Sequence, residues 1–203
     1  IVGLVGPNGA GKTTLLEALA GLIQRDGGQI SVLGHDPATS PVQVRSQLGF
    51  ASPTQPVFDL RVQELINLVS GYYPTWDASL AEDIRRRFDL DPKQRASKLS
   101  LGQGTRLRLL LAMAFRPKVL LLDEPTSGLD LGARHTLMEV VLEFVETGET
   151  AIVLSSHLLS DVERLSERLL VLNRGQVVRD GTTDELVGDE QTLEEALVVW
   201  GAA

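Results

Sequence analysis

The 203-residue sequence contains no cysteine. That excludes a disulfide framework and any thiolate metal site, and it is compatible with residence in the cytosol. No uninterrupted apolar run approaches the roughly 20 residues that a membrane-spanning helix requires. Basic residues are outnumbered, 19 Lys and Arg against 27 Asp and Glu, for a formal charge of −8. Phosphate backbones recruit basic surfaces, so nucleic acid is not expected as the main partner, although a local basic patch stays compatible. Internal repeats and low-complexity segments are absent too. The chain has no initiator methionine and opens inside an apolar run, so it reads as a fragment lacking its natural N-terminus. Apolar residues make up 43%, enough for a sizeable core in one large domain or a domain with a subdomain.

The most informative stretch present is Gly6-Pro7-Asn8-Gly9-Ala10-Gly11-Lys12-Thr13, which fits G-x-x-x-x-G-K-[ST]. Glycines let the backbone curl so that successive N–H groups point at one anion. Lys12 can reach outer phosphates as a point charge, and the Thr13 hydroxyl suits Mg²⁺, which favours hard oxygen ligands. The flanks fit as well. Ile1 to Val5 reads as a buried strand, and from Thr14 to Ile23 the residues Leu15, Leu16, Leu19, Leu22 and Ile23 share one helical face. A strand–loop–helix unit of this kind sets phosphates on a helix N-terminus.

Along the chain, apolar runs alternate with helical patterns, as in a parallel sheet covered by helices. Val119–Leu122 and Ala151–Leu154 read as central strands, with Leu131 to Glu146 as the helical crossover between them and Gly148 near its end. Leu169–Leu172, Asn173-Arg174-Gly175 and Gln176–Arg179 read as a hairpin. Capping-box starts are expected at Ser79–Glu82, Ser160–Glu163, Thr182–Glu185 and Thr192–Glu195. From about Arg61 to Phe115 the pattern is helical, with Val62, Leu65, Ile66 and Val69 as one stripe and the Tyr72–Trp76 cluster as a breaker. This reads as a helical insertion, about 59–115, in an α/β core made of 1–58 and 116–203.

Asp123-Glu124 ends the Val119 strand, and in parallel α/β sheets ligands gather at strand carboxyl ends. Beside a phosphate loop, Asp123 suits the metal and Glu124 the attacking water; a solvated acidic turn is the plain alternative. His157 follows Ser155-Ser156 at another strand end. A lone histidine there is ordinarily structural, but this one also suits a γ-phosphate sensor. Ser100 is an N-cap for the helix running through Arg106, Leu109, Leu110 and Met113; beyond capping, its hydroxyl and the Gly102 N–H could form a second anion site.

These residues together resemble the ATP-binding cassette (ABC) ATPase family over nearly the whole chain. The order matches: phosphate loop, signature Leu99-Ser100-Leu101-Gly102-Gln103, Walker B at Leu120–Glu124, D-loop at Ser127–Asp130, and switch histidine His157. The resemblance implies a P-loop NTPase core with a mainly parallel sheet, plus an inserted helical subdomain carrying the signature. It implies ATP and Mg²⁺ as cofactors and a head-to-tail dimer with a second copy or a homologous cassette. Each nucleotide would lie between residues 6–14 of one subunit, Thr14 included, and Ser100, Gly102 and Gln103 of the other. Glu124 resembles the catalytic base and Asp130 the residue communicating across the dimer. Leu101 replaces the usual signature glycine. Gln55 is the nearest candidate for the Q-loop metal and γ-phosphate contact, although spacing to Leu60-Arg61-Val62 favours Pro53 or Thr54. The family's N-terminal antiparallel strands and adenine-stacking aromatic are missing.

The segments Leu65–Asp77 and Ser155–Glu163 look like those of bacterial exporters of the bacitracin and lantibiotic type. That likeness implies a peripheral subunit on the cytoplasmic face of the membrane, docked on a permease through the helical subdomain and Q-loop. The alternatives are a non-transport ABC ATPase of translation or DNA repair, and a cassette that binds ATP as a switch without hydrolysing it. Intact Lys12, Asp123, Glu124 and His157 argue against the latter.

Overall fold

The computed structural model describes residues 1–146, 150–157 and 159–187, together with residues 193, 195, 197 and 200. In chain order the elements are β1 (Val2–Val5), α1 (Lys12–Leu19), α2 (Pro41–Arg45), β2 (Leu48–Ala51), α3 (Val62–Ser70) and α4 (Ala78–Arg87). A single 3-10 turn at Ala96–Lys98 precedes α5 (Leu101–Met113), β3 (Val119–Asp123), α6 (Leu131–Glu146) and β4 (Ala151–Ser155). The chain continues through α7 (Leu159–Leu165), β5 (Arg168–Asn173), β6 (Gln176–Thr182) and α8 (Thr183–Val187).

The strands form one six-stranded sheet in the order β2-β3-β4-β1-β5-β6. β1 runs parallel to both of its neighbours, with Leu4 opposite Ser155 on β4 and Leu170 on β5; β6 is antiparallel to β5. The sheet is therefore mainly parallel, as the apolar runs predict. Leu120, Leu121 and Leu122 are all buried, the pattern of a strand covered on both faces. α6 matches the expected crossover. The hairpin forms through the two-residue turn Arg174-Gly175, both at positive φ (49° and 77°), whose twist suits the flanking strands.

By contact density the chain divides into two units, Ile1–Arg45 with Leu121–Glu124 and Ile152–Ala203, and Ser46–Leu120 with Pro125–Ala151. The core of the first includes Val5, Val162, Leu169, Val171, Leu193 and Leu197. The core of the second gathers Val62 and Leu65 from α3, Ile84 from α4, Phe88, and Leu107, Leu110 and Met113 from α5. Tyr73 stacks on Phe115 with ring centroids 3.9 Å apart, so the expected helix breaker also fastens the α3–α4 connection. The second unit is wider than the insertion expected at about 59–115. Gly49 on β2 lies flush against the Ala112 carbonyl of α5, and Arg87 on α4 pairs with Glu143 on α6; these contacts draw both flanks into the helical unit.

Local boundaries differ from expectation in three places. α1 stops at Leu19, not Ile23, because a Schellman motif closes it: Gly21 N–H donates to Ala18 O and Leu22 N–H to Glu17 O, with Gly21 at φ 66°. Leu22 and Ile23 are then exposed rather than part of the stripe. α4 is capped by Asp77, which accepts from Leu80 N, two residues before the expected Ser79. α7 starts at Leu159, so Ser160 lies inside the helix. The Thr182–Glu185 box forms as expected, with reciprocal bonds of 2.9 and 3.2 Å. Gly148, and Thr192 and Glu194 of the Thr192–Glu195 box, lie outside the described residues. No helix among the described residues is long and apolar enough to cross a membrane.

Candidate functional site

β1 delivers the chain into the loop Gly6–Gly11, which α1 then receives. The loop is braced from within by Ala10 N–H donating to Pro7 O (3.1 Å). From outside it is braced by Gly175 N–H, in the β5–β6 turn, donating to Ala10 O (2.9 Å). Gly6, at φ 145°, passes so close to the Leu172 carbonyl that a Cβ would collide with it. Gly11, at φ 102°, is the N-cap of α1 and supplies no side-chain cap. The N-cap residue itself therefore closes none of the first-turn N–H groups with a side chain, and the positive end of the helix faces the loop. Lys12 is 7% exposed, and its Nζ donates to Gly6 O (2.7 Å) and Pro7 O (3.2 Å). Asn8 and Gly9 are exposed at the loop tip, Ala10 is buried, and Thr14 is exposed on the first turn of α1.

Thr13 Oγ1 donates to Asp123 Oδ2 at 2.9 Å, joining the loop to the end of β3 across 110 residues of sequence. Asp123 is 3% exposed, and its Oδ1 accepts from Ser155 Oγ at 2.7 Å. Glu124 sits at φ 47°, a left-handed conformation that costs a non-glycine residue about 1–3 kcal/mol and recurs at functional sites. Its N–H is shared between Ser155 O (3.1 Å) and Ser155 Oγ (3.0 Å). The Glu124 carboxylate turns to His157: Oε2 accepts from His157 N (3.2 Å) and lies 2.5 Å from Nδ1. That ring nitrogen donates in the tautomer or charge state that carries a proton there. Loop, acidic pair and histidine thus meet in one unit. Among the described residues no three His, Cys, Asp or Glu side chains cluster as metal ligands. A hydroxyl and one carboxylate 2.9 Å apart instead suit Mg²⁺, which takes few protein oxygens and completes its shell with phosphates and water.

The other expected site residues belong to the second unit. Ser100 caps α5 in a complete capping box, its Oγ accepting from Gln103 N (3.2 Å) while Gln103 Oε1 accepts from Ser100 N (2.9 Å). Gly102 lies against the D-loop segment: a Cβ there would stand 3.0 Å from Gly128 O. Asp130 is at the N-cap position of α6, with Oδ1 accepting from Ala133 N (2.8 Å). Gln55 lies in a turn, its N–H donating to Ser52 O and its carbonyl accepting from Arg108 Nε at 2.7 Å. Burial pushes the Arg108 guanidinium below its ordinary value. The residue that sequence reasoning passed over is Ser155. A polar side chain closing an apolar strand was the available signal; the chain does not reveal that it is fully buried and touches both acidic residues.

A glycine loop between a strand and a helix, tied through Thr13 to an aspartate at the end of another strand of the same sheet, defines a P-loop α/β protein. The chain belongs to the ABC transporter family, whose model matches residues 1–127. It is 32% identical over 187 residues to the ABC transporter ATP-binding protein YtrB of Bacillus subtilis (strain 168), covering 92% of this chain and 64% of that one. It is 33% identical over 192 residues to the daunorubicin/doxorubicin resistance ATP-binding protein DrrA of Streptomyces peucetius, covering 92% and 58%. A solved ATP-binding subunit of an ABC transporter superposes with a TM-score of 0.90 at 28% identity, over 98% of this chain and 87% of that one. The chain thus spans less than two thirds of the length of these two curated relatives.

Proposed function

We propose that this chain is the ATP-binding and ATP-hydrolysing part of an ABC transporter subunit, an exporter, that drives a membrane permease by ATP-dependent head-to-tail dimerisation at the cytoplasmic face. The observation that carries this reading is the Thr13–Asp123 contact, with Glu124 and His157 beside it. The loop N–H groups, the start of α1 and Lys12 would hold the phosphates. Thr13 and Asp123 would hold Mg²⁺, which neutralises phosphate charge when bound, and Gln55 would approach the same region. Glu124 would accept the proton of the water that attacks the γ-phosphorus, and His157 would orient the Glu124 carboxylate and the γ-phosphate. Ser100, Gly102 and Gln103 of one subunit would close over the nucleotide of the other, and Asp130 would carry contact across that dimer. The helical segment about 59–115 would supply the permease docking face. Export is supported by the resistance role that DrrA's name states.

The test uses the full-length protein in its native membrane assembly. Glu124→Gln should trap an ATP-bound dimer and lower turnover about 10²- to 10⁴-fold. Turnover at the wild-type rate in that variant would falsify the assignment of the base. Purification without any membrane protein, on a soluble partner instead, would count against transport.

A further inference from the structure

We propose that Ser155 is a positioning residue that sets the two acidic side chains of the site with one hydroxyl. The inference rests on the hydrolysis reading above and deepens it. Ser155 is fully buried at the end of β4. A hydroxyl has one proton to give and lone pairs to accept, and both capacities are used here. The proton goes to Asp123 Oδ1 (2.7 Å), which orients the carboxylate with Oδ2 toward Thr13 (2.9 Å). A lone pair receives the Glu124 N–H (3.0 Å), which also reaches the Ser155 carbonyl (3.1 Å). Those two acceptors hold Glu124 in its left-handed conformation, φ 47°, and that conformation aims its carboxylate at His157. Backbone in this region persists only where its surroundings enforce it. One buried oxygen therefore couples the orientation of the metal-side carboxylate to that of the water-side carboxylate. Neighbouring chain could not do both: Asp123 and Glu124 are adjacent, and their side chains must diverge.

Partners that orient a ligand to a metal typically contribute 10- to 100-fold to affinity or activity. The full-length protein in its native assembly is compared with Ser155→Ala, which removes the hydroxyl and adds no bulk. Steady-state ATP hydrolysis is measured, and Mn²⁺ is titrated against a bound non-hydrolysable ATP analogue. The variant should lose about 10- to 100-fold in kcat with its KM for ATP within about threefold, and about tenfold in Mn²⁺ affinity. In a Glu124→Gln background with the divalent metal saturating, so that the weakened Asp123 side does not limit, the same change should produce no further loss of residual turnover, because the remaining kcat effect acts through Glu124. A kcat or a Mn²⁺ affinity within twofold of wild type overturns the proposal. So does an additive loss in the double variant, which is the mark of general structural damage. A wild-type assembly that hydrolyses no ATP refutes the proposed function instead; the Mn²⁺ titration, which needs no turnover, then decides Ser155 alone.

Discussion

α1 and α5 begin in opposite ways. α1 follows Gly11, an N-cap residue that makes no side-chain cap bond. α5 follows Ser100, and the Ser100–Gln103 box closes its start from both directions. A helix end lacking a side-chain cap is completed by water or by a ligand; a boxed end is complete by itself. The difference separates two duties that the phosphate loop and the signature segment share by charge alone. The start of α1 keeps its donors for an anion. The start of α5 is structurally finished, yet it retains donors beyond the box: the Ser100 hydroxyl proton, whose oxygen is the accepting atom, and the Gly102 N–H at the second helical position. Changes at the loop should therefore act on ligand binding, and changes at Ser100 on both stability and closure.

The largest effect should come from Lys12→Ala. Hydrogen bonds to charged groups contribute about 1.5–3 kcal/mol, so ATP affinity, followed by calorimetry, should fall roughly 10- to 100-fold. Folding should change far less, since among the described residues Lys12 Nζ bonds only to loop carbonyls. An affinity within twofold of wild type would remove the α1 half of the comparison. Ser100→Ala should divide its effect. Loss of the cap should lower stability by about 1 kcal/mol, a shift in Tm of about 2–4 °C for a chain of this size. ATP affinity of the separate subunit should stay within threefold, while turnover in the assembly falls about tenfold. A full-strength effect on ATP affinity in the separate subunit would mean that the two helix starts are not distinct in role.

What the sequence disclosed and what it concealed follow the same division between local and distant contacts. The phosphate loop, the Asp123-Glu124 pair, the Ser100 cap, the α6 crossover and the β5–β6 hairpin are written in short runs whose geometry neighbouring residues decide. β2 was illegible because Leu48-Gly49-Phe50-Ala51 is short and contains a glycine, which weakens a strand interior; the glycine is there to admit the α5 backbone. The stop of α1 at Leu19 was masked by Leu22 and Ile23 continuing the apolar spacing past the glycine that ends the helix. The cap of α4 was misplaced because Ser79 fits the box pattern, whereas Asp77 is additionally held by Arg116, 39 residues away. Within the site, the residue identities were legible, but the left-handed turn at Glu124 and the bridging hydroxyl of Ser155 exist only once β3 and β4 are in place.

The smallest predicted effect sharpens the comparison by adding a third helix start. α4 is capped by a carboxylate rather than a hydroxyl. Asp77 Oδ1 accepts from Leu80 N (2.9 Å), and Oδ2 accepts from Arg116 at 2.7 and 2.9 Å. The Leu80 N–H, and after it the Arg116 guanidinium, hold the Asp77 carboxyl below its ordinary value. A depressed carboxylate contributes stability that is fully present above the unfolded value, about 3.9. That contribution is lost as pH falls through the folded value. Arg116 is half exposed, so the ion pair itself is worth no more than about 1 kcal/mol. Asp77→Asn keeps an acceptor at the cap and removes the charge. Its stability deficit, from denaturant midpoints, should be constant from pH 7 to about 5 and shrink toward pH 3. The deficit of Ser100→Ala should not vary over that range, because neither Ser100 nor Gln103 titrates there. A Ser100→Ala deficit that tracks pH, or an Asp77→Asn deficit that does not, would show that the three caps differ in something other than the charge of the capping group.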